Sequence, residues 1–424
     1  MRLYLIAAEM GYGHLRAAFP FKDLAYPKLI SYGNDEFASK TIKTQWKTLQ
    51  DAYEFISRNK NAPIIGKIFY KMLDNLLHIP NLYTKFNLSL PTFQVEILEF
   101  YIKNGFYDEL KELVKKEPLP VLSTFYAPAI ALNLFSIPNN FCFVTDSDIN
   151  RVWAAKDAAN SSIIYFVASN RAALRLKKYG VPEKNIFFTG YPFNRNIFNN
   201  ETVRISLAKR LKILDPKGNF AKNFLELANK ILGFDFREIQ RNDALSISFA
   251  VGGAGAQKEL AKKIIKSFRK EIQDGLVKIN LIAGTRLEVK EYFENLIRQE
   301  NLGNNHIKVI YCDNKLDYFE IFDKTILETD ILWTKPSELS FYSALGLPLI
   351  LSSSIGSQER ANKKWLRDEM GIAFPQYKPS LASEWIKDFL DSGRLAEVAF
   401  LGYLKQNVDG YERILEIIKN KSSL

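Results

Sequence analysis

The sequence predicts an α/β protein built of two doubly wound domains. Three observations predict it. Short apolar runs alternate with amphipathic stretches along most of the 424 residues, as parallel strands joined by crossover helices do. The apolar runs are nearly continuous and several end in Gly, Ser, Thr or Asp, the habit of strands covered on both faces. The alternation comes in two blocks, and a prior of roughly 150 residues per domain leaves room for about two to three domains.

In chain order, the first block places strands at Leu3–Ala8, Pro120–Thr124, Asn140–Thr145, Ile163–Ala168 and Ile186–Thr189. The second places them at Ser246–Val251, Lys278–Ala283, Lys308–Tyr311, Ile331–Thr334 and Pro348–Ser352. Helical periodicity marks Arg171–Tyr179, Ala256–Gln273, Glu288–Glu300, Ser337–Leu345 and Gln358–Met370. Between the blocks, Asn199–Asn242 carries no evident strand and reads as the inter-domain passage plus an embellishment of the second domain. The expected organisation is a first domain over 1–198, with a helical insertion over about 40–118, and a second over 199–399. A helix over about 400–424 is expected to cross back to the first domain.

Composition narrows the function. Apolar residues make up 47% and aromatic residues 13% of the chain, so a packed core is expected and disorder is not. Two cysteines exclude a disulfide scaffold or a Cys-rich zinc module. His14, His78 and His306 are far apart in sequence, and no metal site is expected. No run is long and apolar enough to span a bilayer, and the first residues read as a core strand, so the expected address is the cytoplasm. The net charge of +11 implies attraction to anions without naming one. No nucleic-acid module accompanies it, and nucleic acid is not an expected partner. Residues 40–90 hold eight Lys or Arg against three Asp or Glu, interleaved with apolar and aromatic residues. That mixture suits a helical insertion packed on its own domain, and equally a contact with an anionic membrane face.

Three motifs sit where open α/β sheets bind ligands, at the carboxyl ends of strands. Gly11-Tyr12-Gly13-His14 follows the first strand; its glycines let backbone approach a ligand, and His14 either caps the next helix or faces that ligand. Gly252-Gly253-Ala254-Gly255 follows the strand Ser246–Val251 and suits a diphosphate cradle. It lacks the Lys-Ser/Thr of a P-loop and the G-x-G-x-x-G spacing of a dinucleotide fingerprint. Residues 330–374 read as strand, turn at Pro336, helix, Gly346 in a left-handed cap, strand, and a polar loop through Gly356-Ser357-Gln358-Glu359.

Taken in order, these motifs and their spacing resemble the GT-B glycosyltransferases. The likeness is greatest to the branch with monogalactosyldiacylglycerol synthase and the N-acetylglucosaminyltransferase that makes lipid II. Met10–His14 resembles the family's Gly-x-Gly-His loop, and Thr145-Asp146, followed by Trp153, its V-T-D strand end. The run from Tyr165 to Phe193 resembles the segment that closes the first domain. Gly252–Gly255 resembles the G-G-x-G loop. Lys335-Pro336, Gly346-Leu347-Pro348, and Gln358-Glu359 with Asn362 resemble the donor-site elements. Two departures stand out. Ser337-Glu338 replaces a glycine pair, and Phe341 stands where the family has a carboxylate that commonly binds the donor ribose. Glu338, one turn earlier, is the candidate substitute.

The resemblance implies two Rossmann-like lobes, a nucleotide-diphosphate sugar as donor with UDP the default, and no tightly bound cofactor or metal. It implies donor contacts from Gly252, Gly253, Ala254, Gly255, Lys335, Ser337, Glu338, Gln358 and Glu359, and an acceptor-side loop at Gly11, Tyr12 and Gly13. His14 is then the general base, directed into the cleft, with Asp146 as a second candidate or as its orienter. The acceptor is a lipid or a saccharide hydroxyl, and a lipid implies peripheral contact with the inner face of the plasma membrane. Two alternatives stay open: a nucleotide-sugar epimerase or hydrolase, and a non-catalytic nucleotide-sugar-binding protein.

Overall fold

The computed structural model describes residues 1–9, 11–32, 78–241, 244–252, 255, 257–302, 306–354 and 356–422. The chain forms two compact units. One comprises Met1–Phe193, Ile355–Asn362 and Asp409–Leu424; the other comprises Asn194–Ser354 and Lys363–Val408.

The first unit is a six-stranded parallel sheet. Its strands are β1 (Tyr4–Ala8), β2 (Ile30–Tyr32), β3 (Val121–Ser123), β4 (Asn140–Val144), β5 (Ile164–Val167) and β6 (Ile186–Phe188), in the order β2-β1-β3-β4-β5-β6. β1, β3 and β4 are buried along their whole length, which parallel strands covered on both faces require. Helices α1 (Gly13–Ala18), α2 (Phe93–Tyr101), α3 (Asp108–Lys116), α4 (Tyr126–Leu134) and α5 (Asn170–Lys178) flank it. Ser169 caps α5, its hydroxyl accepting from the Ala172 N–H. Residues 40–77 of the expected insertion, and with them most of the basic stretch 40–90, lie outside the described residues; α2 and α3 belong to the described remainder and are joined through Gly105 at φ +95°.

The second unit repeats the plan. Helices α6 (Asn200–Leu214) and α7 (Asn219–Leu232) fill the stretch in which no strand was expected. Then follow β7 (Leu245–Ala250), α8 (Leu260–Ser267), β8 (Val277–Gly284), α9 (Leu287–Gln299), β9 (Ile307–Tyr311), α10 (Lys315–Leu327), β10 (Ile331–Thr334), a 3₁₀ helix (Glu338–Leu345), β11 (Leu349–Leu351), α11 (Ser357–Lys364) and β12 (Ala373–Pro375). The strand order is β12-β11-β10-β7-β8-β9, all parallel, which is the Rossmann order read from the far edge. Gly346 ends the 3₁₀ helix at φ +66°, and a Cβ there would lie 2.5 Å from Leu207 Cδ1, so the position needs glycine twice over.

The expected terminal helix is two helices. After α12 (Ala382–Asp391), α13 (Arg394–Lys405) packs in the second unit, its Gly402 against the Ser343 carbonyl. Gln406 is extended, and α14 (Gly410–Ser422) then packs in the first unit, its Gly410 against the Tyr191 carbonyl and Tyr411 stacked on Phe21 at 4.9 Å. Three other expected helices differ in form. The one expected from Ala256 begins at Leu260, because Gln257 turns at φ +68°. Ser337–Leu345 is 3₁₀, and Gln358–Met370 is α11 followed by a π turn over Trp365–Glu369.

Candidate functional site

Each sheet reverses its strand order once, between β1 and β3 in the first unit and between β7 and β10 in the second. Loops leaving such a reversal diverge to opposite faces and open a crevice at the carboxyl ends, the usual ligand position in open α/β sheets. Gly11–His14 follow β1 and Gly252 and Lys335 follow β7 and β10, at the two reversals, whereas Asp146 follows β4 and Gln358-Glu359 follow β11.

In the first unit, Gly11 turns the chain out of β1 at φ +79°, and a side chain there would meet no other atom within 4 Å. Buried Tyr12 precedes α1, and Gly13-His14 start that helix. Thr124, which follows β3, grips the turn. Its N–H donates to the Ile6 carbonyl at 2.9 Å and its hydroxyl to the His14 carbonyl at 2.9 Å. The Thr124 carbonyl lies 2.5 Å from His14 Nδ1, and Thr145 Oγ1 lies 3.3 Å from the same nitrogen. A carbonyl only accepts, so Nδ1 carries the proton and the lone pair of the neutral ring sits on Nε2. Phe125 meets the half-buried ring edge-on at 4.9 Å, and Trp153 lies 6.3 Å away. His14 is therefore not a helix cap; its ring is held by the neighbouring strand end.

Asp146 and Asn362 form the second feature of this unit. The Asn362 carboxamide oxygen accepts from Ser147 N–H at 3.0 Å and from Ser147 Oγ at 2.5 Å, and its Nδ2 donates to Asp146 Oδ1 at 3.3 Å. Asn362 is 2% exposed, so this one amide clamps the loop that carries Asp146. Next along the chain, buried Asp148 is held by Arg171 Nε at 2.8 Å and by Arg175 Nε and Nη2 at 2.8 and 2.9 Å. Burial lowers the Arg175 pKa, and Asp148 together with Tyr179 offsets that, leaving it raised. Asp148 is thus committed to an internal ion pair, whereas Asp146 is half-buried at the strand end. Gln358 and Glu359 occupy the first turn of α11, half-buried, and group with this unit.

In the second unit, Gly252 and Gly255 bracket the glycine loop; Gly253 and Ala254 lie outside the described residues. Gly255 N–H donates to the Gly252 carbonyl at 2.7 Å, and Gly255 stands at φ +69°. Lys335 leaves β10 directly beside this loop, in register with β7 through the Thr334–Ala250 pair. A Cβ on Gly252 would lie 2.2 Å from Lys335 Cε and 2.9 Å from its Nζ, so only glycine lets the lysine lie across this strand end. Four residues, 256 to 259, separate Gly255 from the start of α8.

Phe341 is 1% exposed and packs on Trp365 at 5.4 Å, so its position faces the core and is closed to a ligand. In a 3₁₀ helix, side chains three residues apart eclipse one another. Glu338 therefore stands over the same face as Phe341, one turn nearer the amino end, half-buried beside Ser337. Replacing Glu338 by Gln is expected to weaken nucleotide binding by about 1–3 kcal/mol, the scale of a hydrogen bond to a charged group. Calorimetry with UDP checks it, and a change in melting temperature with affinity intact would make Glu338 only a favourable charge at a helix start. No group of three or more His, Cys, Asp or Glu side chains that could hold a metal occurs among the described residues.

No family model and no curated protein matches the chain. Solved structures do. The glycotransferase of kitacinnamycin aligns over 99% of this chain and 98% of its own, with a TM-score of 0.52 and 12% identity. The fold is GT-B. MnaA of S. aureus, solved with UDP, covers 100% of this chain and 97% of its own at TM-score 0.49 and 14% identity. MurG of Acinetobacter baumannii covers 99% and 100% at 0.47 and 14%. At such identities the likeness is one of fold, and the GT-B assignment rests with the two parallel sheets, their strand orders and the kitacinnamycin structure.

Proposed function

We propose that the chain is a glycosyltransferase that moves a sugar from a nucleotide-diphosphate sugar, UDP-sugar by default, to an acceptor hydroxyl. The observation that carries this reading is the fixed tautomer of His14. With Nδ1–H given to the Thr124 carbonyl, Nε2 is the basic nitrogen, at the carboxyl end of β1 where a ligand is expected. On this reading Nε2 takes the acceptor proton, a bond forms between the acceptor oxygen and the anomeric carbon, and the bond to the diphosphate breaks. Lys335, lying across Gly252, meets the charge that develops on the departing diphosphate. Ser337 and Glu338 line the nucleotide side, Gln358 and Glu359 take sugar hydroxyls, and Asp146, clamped by Asn362, is the second catalytic residue after His14. Gly11, Tyr12 and Gly13 form the acceptor-side loop. This chemistry places its demands on side chains and asks for no tightly bound cofactor.

The acceptor class proposed is a lipid at the inner face of the plasma membrane, reached by peripheral contact. No helix of the described residues is long and apolar enough to cross a membrane. On α2, however, Phe93, Ile97, Phe100 and Tyr101 share one exposed face, Phe93 being 70% and Phe100 63% exposed. Tyr83 and Phe86 are also exposed, beside Lys85. The aromatic-plus-basic character supports an interfacial contact.

The test is incubation of the full chain with UDP-hexoses, alone, with soluble saccharides, and with anionic or neutral vesicles carrying lipid hydroxyls. Transfer to an acceptor is expected, strongest on anionic vesicles and falling as salt rises. Isomerised donor without transfer would identify an epimerase, and UDP binding without turnover a non-catalytic protein. Equal activity on neutral and anionic vesicles would remove the membrane part alone.

A further inference from the structure

The second sheet contains an anomaly that the glycosyl-transfer reading does not use. Strands of a doubly wound sheet are buried on both faces and run apolar throughout. On one face of β7, β8 and β9 they do not. Ser246 and Lys278 pair across β7 and β8, with His306 just before β9 lining the same rim, and Ser248, Asn280 and Lys308 form the next row. The third row, Ala250, Ile282 and Ile310, is apolar, and so is the opposite face through Ile247, Ile279 and Ile307. Polar character is thus confined to the amino-terminal rim of three adjacent strands.

A cavity of about 890 Å³ lies over this rim, walled by α6 and the end of α10. That is the size of a small-molecule site. Its charges sort into two groups. Arg210 is spent on the backbone carbonyls of Thr329, Leu345 and Ile326, and Arg241 on Asp330 in a bidentate pair at 2.7 Å. Lys209, Lys278 and Lys308 make no ion pair among the described residues, and Glu328 is the single acid of the lining. Between the lysines, Asn280 Nδ2 reaches Ser248 Oγ at 3.1 Å and Ser246 Oγ at 3.4 Å, a fixed neutral floor of amide and hydroxyl groups. Gly252 lies six positions beyond Ser246, so roughly 20 Å of extended chain lies between this cavity and the glycine loop.

We propose that this cavity is a second binding site, distinct from the glycine loop, for a phosphorylated small molecule. Lysine ammonium groups act as point charges toward phosphate oxygens, and the Ser246–Asn280–Ser248 floor offers hydrogen bonds to the remaining polar atoms of the ligand. The site needs no change in the core to open, because its polar floor is already part of the sheet.

Titration of the full chain with inorganic pyrophosphate at low salt tests it. Lys278→Gln combined with Lys308→Gln is expected to weaken binding at least 10-fold, and both positions lie on the surface side of the strands, where the fold tolerates the change. Asn280→Asp, which sets a carboxylate in the floor and replaces the amide donor to the two serines with an acceptor for their hydroxyls, is expected to do the same. Lys335→Ala, at the glycine loop, is expected to leave at least one pyrophosphate bound. Affinity unchanged in the double variant, affinity lost wholly in Lys335→Ala, or no binding at millimolar pyrophosphate each overturns the proposal.

Discussion

Replacing His14 by Ala is expected to lower sugar-transfer turnover by about 10²-fold or more, the usual scale for a lost general base. Donor affinity should change little, because Gly252 and Lys335 belong to the other unit. The imidazole also has a structural job, since Nδ1–H satisfies the Thr124 carbonyl. Its removal leaves a carbonyl of buried Thr124 without that donor, at roughly 1–3 kcal/mol. His14→Asn separates the two effects. An Asn Nδ2–H reaches the same carbonyl from nearly the same place, yet the side chain offers no basic nitrogen. Its melting temperature should stay near that of the parent while turnover falls as in His14→Ala. Turnover retained in His14→Asn would move the catalytic role to Asp146.

How much of this site was legible beforehand depends on how local its signal is. Each of the ten expected strands is present within a residue or two, because a continuous apolar run bounded by Gly, Ser, Thr or Asp is a local pattern. The two strands that were missed, β2 and β12, are three-residue edge strands, and β12 ends in Pro375. Edges carry little periodicity, and proline is tolerated there because its missing N–H faces no partner. The Gly-x-Gly-His turn was legible for the same local reason. Its orienting partner was not, since Thr124 lies 110 residues away and only the β1–β3 pairing brings it to the ring.

Asn362 shows the same limit from the other side. It stands in a recognisable run with Gln358 and Glu359, yet nothing in the run says that its amide will clamp Ser147 and Asp146 more than 200 residues earlier. Phe341 was visible as a departure from the family pattern. What could not be read was the 3₁₀ winding that stacks Glu338 over it, because helix type at an eight-residue segment is set by packing more than by its own residues. The polar rim of β7, β8 and β9 was present in the sequence as Ser-Ile-Ser, Lys-Ile-Asn and His-Ile-Lys. Each alone reads as a half-exposed strand, and only their register joins them into one floor.

Gly252→Ala is expected to weaken UDP binding by about 10- to 100-fold, the equivalent of roughly 1.5–3 kcal/mol for a hydrogen bond to a charged group. The backbone at Gly252 is not in the left-handed region, so alanine meets no conformational penalty there. The new methyl would instead sit 2.2 Å from Lys335 Cε, and something must move. A lysine side chain rotates away more readily than two strand ends separate, so the fold should survive with its melting temperature little changed. The cost then falls on the position of the Lys335 ammonium. This makes a sharper claim than loss of binding alone. Lys335→Ala should weaken UDP binding to a similar degree, and Gly252→Ala added to it should cost almost nothing further, since its only target is gone. Two side chains in contact are expected to be non-additive in this way, whereas independent sites add to within about 0.3–0.5 kcal/mol. Calorimetry on the four proteins of the cycle measures the coupling. Simple additivity would mean that Gly252 acts on the nucleotide through its own backbone, and undiminished affinity in both single variants would remove the glycine loop from the donor site.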